Sequence, residues 1–314
     1  MSHYSSQWQV GLSTDMGPVR TRNEDHLFFR VTSDRKGNEI GIAIVADGMG
    51  GYQVGDVASF IAIEMIQKWW DKRSRKLLSA EDPIELAVQE LESFILKINE
   101  HLLEVYKKEK KKLGTTLSIL LVYSGKYAIV HIGDSRIYQA TGGRAGFQDY
   151  FRKQQQLHQK MATDELHDTV SLEEETKLIQ LTEDHSWVQD QVRKGMLTPE
   201  EAHNHAKRNV LLQCLGVTNK IEPFIHLGQY DPNDIFLLCS DGFYSVLSEK
   251  KIEGMLQQLE SKYTNLQRIS DHFIQVSVKA GTTDNITVLL VRNMYPPKLS
   301  FERKRSIFSS LFNL

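Results

Sequence analysis

Four aspartates lie at the edges of apolar segments, where an ionised side chain needs a compensating partner. Asp47 follows GIAIVA and Asp241 follows IFLLCS, and each is followed by a glycine. Asp284 directly precedes NITVLLV, and Asp134 lies in the turn HIGDSR. One Asp-Gly pair after a strand is most often an ordinary turn, but four aspartates at strand edges are harder to explain that way.

If these four edges converge, a divalent metal site is the simplest explanation. Neighbouring carboxylates repel one another, which raises their pKa values unless cations neutralise them. Because all the candidate ligands are oxygens, the pattern favours Mg²⁺ or Mn²⁺ over zinc.

The segments that carry or adjoin the aspartates are predicted to be buried strands. They cover residues 41–47, 116–122, 235–241 and 285–291, and their unbroken Ile, Val and Leu content is typical of strands covered on both faces. In this interpretation Asp47 and Asp241 close their strands. Apolar residues recurring every three or four positions predict an amphipathic helix over 83–106, and two more helices are expected over 54–70 and 266–279.

Composition indicates a globular protein. The chain has 314 residues, 40% hydrophobic and 25% charged, which suits one large domain over 1–293. A net charge of −2 gives no bulk electrostatic reason to expect nucleic acid. Cys214 and Cys239 lie in apolar segments and are expected to be buried, reduced thiols. With no apolar run of about 18 residues and no signal-peptide pattern, we expect a cytoplasmic protein.

Two segments differ from the rest in composition. Residues 140–178 are polar and Gln-rich, which indicates a surface excursion from the domain. Residues 294–314 form a tail in which a Pro-Pro break is followed by basic and then apolar residues. The basic and apolar residues of 298–314 suit an anionic membrane surface or a groove on a partner, although docking on the domain itself or fraying is the favoured interpretation.

The order of short motifs resembles the PPM family of metal-dependent phosphatases, the type 2C serine/threonine phosphatases, and in particular their bacterial branch. The motifs are VRTRNED (19–25), ADGMGG (46–51), LGTTL (113–117), GDSR (133–136), LTEDHS (181–186), SDGFYSVLS (240–248) and TDNIT (283–287). Each motif alone is weak evidence, but their order is specific.

This resemblance implies an α+β fold, a four-layer α-β-β-α sandwich of two antiparallel sheets flanked by helices, with the metal centre in a cleft at one end. It also implies a protein serine/threonine phosphatase that uses a water or hydroxide bound to two Mn²⁺ or Mg²⁺ ions. The expected partners are phosphorylated proteins, the substrates of a serine/threonine kinase. The two thiols should not take part.

The same resemblance assigns roles to individual residues. Asp47 is expected to bridge the two ions, with the Gly48 carbonyl on one and Asp241 and Asp284 on the other. Glu24 and Asp25 are expected to orient water, and Arg20 to hold the phosphate, since a guanidinium donates two hydrogen bonds at once.

Some positions depart from the family pattern. Where a third, weaker ion is bound, the aspartates matching Asp134 and Asp241 hold it, and some members add an aspartate where this chain has Ser245, so a third site is left open. Some relatives outside the bacterial branch have a histidine in place of Met49. In the flap segment 196–216, Ala206-Lys207 stands where His-Pro is common.

Four histidines invite a catalytic interpretation, and two other functions are open. His131, His185, His203 and His205 are expected to be structural or surface residues, because an oxygen-rich centre requires none of them. The alternative to an enzyme is a pseudophosphatase that binds phosphoproteins without turnover. A two-metal nuclease fits poorly, because the sequence shows no basic groove.

Overall fold

Two antiparallel sheets pack face to face between layers of helices in the computed structural model, which describes residues 7–50, 55–109, 113–141 and 177–294. The first sheet has the strand order β1-β11-β10-β7-β8, and the second has β2-β3-β5-β6-β9 with β4 paired to β3. The strands are β1 (Trp8–Asp15), β2 (Asp25–Ser33), β3 (Glu39–Gly50), β4 (Leu113–Thr115), β5 (Leu117–Tyr123), β6 (Lys126–Ile132), β7 (Arg136–Thr141), β8 (Lys177–Gln180), β9 (Phe224–Gln229), β10 (Ile235–Cys239) and β11 (Ile286–Asn293).

Helices cover the outer side of each sheet. Those in the described ranges are α1 (Gly55–Leu77), α2 (Pro83–Glu109), α3 (Trp187–Arg193), α4 (Pro199–His203), α5 (Asp241–Tyr244), α6 (Glu249–Lys262) and α7 (Leu266–Lys279). The last helix shows how the sequence sets such an element. The Asn265 side chain caps its first turn by accepting from the Gln267 amide, and its buried residues, which include Ile269 and Phe273, recur at helical spacing.

Three apolar clusters hold the four layers together. One lies between the sheets and contains Trp8, Phe29 and Phe236. A second joins the second sheet to α1 and α2, and the third joins the first sheet to α6 and α7. Each large side chain buried in this way contributes roughly 1.5–3 kcal/mol to folding. The expected α-β-β-α sandwich is therefore confirmed.

The predicted strands are present and buried, but their bounds differ from the prediction by up to three residues. The prediction that Asp47 closes its strand is wrong, because β3 continues to Gly50 by pairing its last three residues with β4. The prediction that Asp241 closes a strand is also wrong, because β10 stops at Cys239 and Asp241 begins α5. The helix predicted over 266–279 has those bounds, the one over 83–106 lies within α2, and the first helix runs on to Leu77.

The two appendages lie mostly outside the described residues. Residues 140–141 belong to β7 and 177–178 to β8, so the excursion is shorter at both ends than 140–178, and residues 142–176 are not described. Of the tail, only Met294 is described. The domain limits 1–293 stay a prediction. No helix among the described residues has both the length and the apolar character needed to cross a membrane.

Candidate metal centre

The pairing of β2 with β3 places two carboxylates side by side. Asp25 and Asp47 are direct partners in this antiparallel ladder. Side chains opposite each other in such a pair have Cβ atoms about 4.5–5.5 Å apart, and like charges there are destabilising. The sheet therefore holds together two acidic groups that would separate in the unfolded chain.

The main chain at Asp47 is fixed by two threonines of the LGTTL motif. The Asp47 amide donates to Thr116 Oγ1 at 2.9 Å, and the Asp47 carbonyl accepts from the Thr116 amide and from Thr115 Oγ1, both at 2.9 Å. Thr116 Oγ1 also pairs with Ser135 Oγ at 2.7 Å, next to Asp134. These bonds occupy the backbone of Asp47, so its carboxylate is available for a ligand.

Asp25 connects the two sheets and has one unused oxygen. Its Oδ2 accepts from Ser240 Oγ at 2.6 Å, and that hydroxyl accepts from the Thr287 amide at 3.0 Å. Its Oδ1 is buried and has no hydrogen-bond partner. A buried acceptor without a partner costs free energy, so this oxygen points to a group that supplies the missing contact.

Asn285 fixes the loop that carries Arg20 and Glu24. Its Nδ2 donates to the carbonyls of Met16 and Arg22, both at 2.8 Å, and its Oδ1 accepts from the Glu24 amide at 2.9 Å. Asn285 follows Asp284 directly, so one short segment supplies a carboxylate and anchors the neighbouring loop.

α5 begins against that same segment, which brings Asp241 close to Asp284. A Cβ added at Gly242 would lie 2.0 Å from the Asn285 carbonyl oxygen, so only glycine permits this approach.

Arg20 lies at the exposed edge of the cluster, and Glu24 is buried beside it. Arg20 Nη2 donates to Asp284 Oδ2 at 2.6 Å, and the two side chains are 47% and 34% exposed. Glu24 Oε1 accepts from the Gly55 amide at 3.1 Å, at the first residue of α1. Loss of hydration is the main cause that raises the pKa of Glu24.

The carboxylates raise one another's pKa values. Burial, followed by the charges of Asp241 and Asp284, raises the pKa of Asp25 to about 7. Burial and then the charge of Asp284 raise that of Asp241 to about 6. The pKa values of Asp47 and Asp134 are also raised well above the ordinary range, first by burial and then by neighbouring carboxylates. The cluster is therefore short of positive charge.

The residues fit divalent cations in their donor chemistry. Every candidate ligand is an oxygen, and Asp25 Oδ1 has no partner. At Gly48 a Cβ would lie 2.2 Å from the Gly55 carbonyl oxygen and 2.6 Å from that of Glu24. The main chains at Gly55 and Glu24 thus approach residue 48 so closely that only glycine fits there.

The side chains do not form a complete set of ion ligands in their present orientations. Within the described ranges, no group of three or more His, Cys, Asp or Glu side chains could hold an ion as they stand. Arg20 pairs with Asp284 instead. A cation bound by Asp284 would therefore take the place of Arg20 at that carboxylate.

All of the predicted site residues belong to this one end of the sandwich. They are Arg20, Glu24, Asp25, Asp47, Gly48, Asp134, Asp241 and Asp284. Asp134 interacts electrostatically with Asp47 and Asp241. Their individual roles stay predictions.

The histidines make contacts of a structural kind. His131 bonds through Nδ1 to Ser118 Oγ at 2.8 Å and through Nε2 to the Gly133 carbonyl at 3.0 Å, and burial lowers its pKa to about 3. His185 Nδ1 accepts from the Gly133 amide at 3.2 Å. His205 lies against Trp187, with ring centroids 4.9 Å apart, and His203 is exposed.

Sequence reasoning missed the residues that hold the ligands in place, namely Thr116, Ser240 and Asn285. A signal was present, because each lies within a quoted motif and two of them are adjacent to a candidate aspartate. The thiols were predicted correctly, since Cys214 and Cys239 are free and buried. Burial raises the pKa of Cys214 to about 11, so it is not a thiolate near neutral pH.

Comparison with known proteins gives one consistent result. Residues 19–283 match the family described as protein phosphatase 2C. The chain is 34% identical over 283 residues to the serine/threonine phosphatase stp of Listeria monocytogenes, covering 88% of this chain and 93% of that protein.

Solved structures agree with the sequence matches. The serine/threonine phosphatase of S. agalactiae superimposes with a TM-score of 0.68 at 26% identity, covering 91% of this chain and 99% of that one. The catalytic domain of the phosphatase PstP in complex with two manganese ions has a TM-score of 0.63 at 25% identity, covering 91% and 97%. The chain therefore belongs to the protein phosphatase 2C family, as its motifs indicate.

Proposed function

We propose that this chain hydrolyses phosphoserine and phosphothreonine on proteins at a centre of two Mn²⁺ or Mg²⁺ ions. The chain is a serine/threonine protein phosphatase of a metal-dependent family. The observation that carries the proposal for this site is the set of buried carboxylates that raise one another's pKa values around an unpartnered Asp25 oxygen. We also propose a cytoplasmic location, which the two free thiols support.

Each residue has a proposed role in the reaction. Asp47, the Gly48 carbonyl, Asp241 and Asp284 hold the cations, and Asp134 lies beside them. When bound, the cations supply the positive charge that acidifies water and draws electrons from the phosphoryl group. Asp25 Oδ1 and the Glu24 carboxylate accept hydrogen bonds from water and orient it.

Arg20 binds and orients the phosphate. Its guanidinium is half-exposed, and it is free to leave Asp284 when that carboxylate takes a cation. Water oxygen bonds to phosphorus, the bond from phosphorus to the serine or threonine oxygen breaks, and that oxygen takes a proton. Met49, which stands where some relatives have a histidine, has no proton to give. The proton for the leaving oxygen therefore comes from water.

The test measures hydrolysis of p-nitrophenyl phosphate and of a phosphothreonine peptide, with Mn²⁺ or with chelator. Asp47→Asn should lower kcat at least about a hundredfold, because it removes the charge shared between the cations. The control Asp71→Asn changes an exposed aspartate that pairs with Arg30, and it should match the unchanged protein. A folded Asp47→Asn that keeps more than about a tenth of the rate, a loss under about 1.4 kcal/mol, would refute the assignment. Phosphopeptide binding without hydrolysis would indicate a pseudophosphatase.

A further inference from the structure

Tyr244 connects two of the candidate ligands. It is the last residue of α5, the four-residue helix that begins with Asp241. Its hydroxyl donates to the Asp134 carbonyl oxygen at 3.0 Å, across 110 residues of sequence. One rigid turn of helix thus carries one candidate ligand at its start and contacts the main chain of another at its end.

The tyrosine ring is itself held in place. The Arg136 guanidinium lies 3.8 Å from the ring centroid. Arg136 also donates through Nη2 to Asp184 at 2.8 Å and through Nη1 to the Tyr138 hydroxyl at 3.1 Å. Since the Arg136 and Asp184 side chains are only 22% and 10% exposed, this stack has little freedom to move.

The hydroxyl stays a donor under assay conditions. The phenol of a tyrosine ordinarily titrates at about pH 10, well above a neutral assay pH. A phenol that keeps its proton donates at every pH at which the enzyme is assayed.

The turn that carries Asp134 is also fixed at Gly133. The His185 amide donates to the Gly133 carbonyl at 2.7 Å, and the Gly133 amide donates to His185 Nδ1 at 3.2 Å. Gly133 has φ of +110°, and a Cβ there would lie 2.6 Å from the Thr116 side chain. The preceding residue is thus fixed by histidine, whereas the Asp134 carbonyl itself is held by Tyr244.

We propose that Tyr244 is a positioning residue of the phosphatase reaction, whose hydroxyl fixes the Asp134 main chain so that Asp134 and Asp241 face the same cation centre. This inference rests on the proposed function. It adds a residue that contacts neither substrate nor cation and acts through Asp134. Ser245, the residue after Tyr244, offers no carboxylate where some family members have an aspartate. The orientation of Asp134 therefore matters more in this chain than in those members.

The test compares three full-length variants. Tyr244→Phe removes the hydroxyl and keeps the ring beneath Arg136, whereas Tyr244→Leu removes both. Tyr127→Phe is the matched control, because it removes a tyrosine hydroxyl bonded to His226 at 3.2 Å, away from the candidate ligands. Each protein is assayed with p-nitrophenyl phosphate for kcat and KM, titrated with Mn²⁺ by calorimetry, and melted.

Tyr244→Phe should lower kcat about three- to tenfold, the range expected for one hydrogen bond, with KM within about twofold. Mn²⁺ binding should weaken by a similar factor, while the melting temperature stays within a few degrees. Tyr244→Leu should be more severe, and Tyr127→Phe should match the unchanged protein. Calorimetry keeps the inference testable if the unchanged protein proves inactive, which would refute the proposed function instead. Unchanged kcat and Mn²⁺ affinity in Tyr244→Phe would overturn the inference. A decrease in kcat that is fully explained by a smaller fraction of folded protein would overturn it as well.

Discussion

Stability of the metal-free protein should fall as pH rises from 5 to 7, and Mn²⁺ should reverse the fall. The carboxyl of Asp25 has a folded-state pKa of about 7, raised from 3.8. Its proton is therefore held more tightly in the folded chain than in the unfolded one. Between the two pKa values the folded state binds more protons, so the free energy of unfolding decreases with increasing pH.

The size of the effect follows from these values. One pH unit across this interval corresponds to about 1.4 kcal/mol for a single group, so Asp25 alone accounts for ~2–3 kcal/mol between pH 5 and pH 7. Asp241, with a pKa of about 6, acts in the same direction. Because the two groups repel each other, their contributions do not add, and ~2–4 kcal/mol is expected from this pair. Asp47 and Asp134, whose pKa values are also raised, act in the same direction. In a chain of 314 residues the contribution of the pair corresponds to a melting-temperature decrease of roughly 3–6 °C.

The measurement is a series of melting curves from pH 5 to pH 7.5, with chelator and with Mn²⁺. Stabilisation by Mn²⁺ should grow with pH, because only ionised carboxylates bind the cation well. Asp25→Asn removes one titrating group and should flatten the chelator curve. A metal-free melting temperature that stays level or rises between pH 5 and pH 7, with the same slope in Asp25→Asn, would refute the reasoning.

Three further predictions concern parts of the chain outside the carboxylates. Cys214→Ser combined with Cys239→Ala should leave metal-dependent hydrolysis within about twofold, because neither buried thiol is a nucleophile in the proposed reaction; loss of activity in the folded, metal-loaded double variant would contradict it. Replacing residues 142–176 with Asn-Gly should preserve hydrolysis of p-nitrophenyl phosphate, since Thr141 and Lys177 are already cross-strand partners and such a turn can close the hairpin; a large fall in melting temperature would show that the segment supports the fold. Truncation after Asn293 should leave phosphopeptide hydrolysis unchanged. If 298–314 binds an anionic membrane surface, the truncation should also reduce co-sedimentation with anionic vesicles, whereas equal sedimentation of both forms would exclude a membrane role.

Periodicity predicted the elements that depend on local pattern. Buried strands such as β11 and amphipathic helices such as α7 carry their signal within about ten residues, so their positions followed from the sequence. The four-residue α5 has no measurable period, so the apolar run before it predicts that Asp241 ends a strand. The extension of β3 past Asp47 depends on pairing with Leu113–Thr115, which no local pattern reveals.

The convergence of the site residues depends on contacts between distant segments. Ser240 and Asp25 are 215 residues apart in sequence, and Asn285 and Glu24 are 261 apart. The residues alone indicated acidic strand edges that a metal would explain, whereas the inclusion of Glu24, Asp25 and Arg20 came from the family resemblance. The pairing of Asp25 with Asp47 is a consequence of strand register, which is set by burial along the whole of β2 and β3.

The arrangement at this end of the sandwich separates positioning from binding. Hydroxyl and amide side chains, notably Thr116, Ser240 and Asn285, bond the main chain or one oxygen of an acidic residue. These hydrogen bonds fix the segments that carry the acidic groups, but they supply no positive charge to those groups. Folding alone does not remove the repulsion among those groups, because among the described residues one salt bridge reaches a candidate ligand, the pair of Arg20 with Asp284. A divalent cation that binds the folded chain is therefore attracted by carboxylates that otherwise repel one another. Its affinity should increase with every carboxylate that the surrounding hydrogen bonds keep in place.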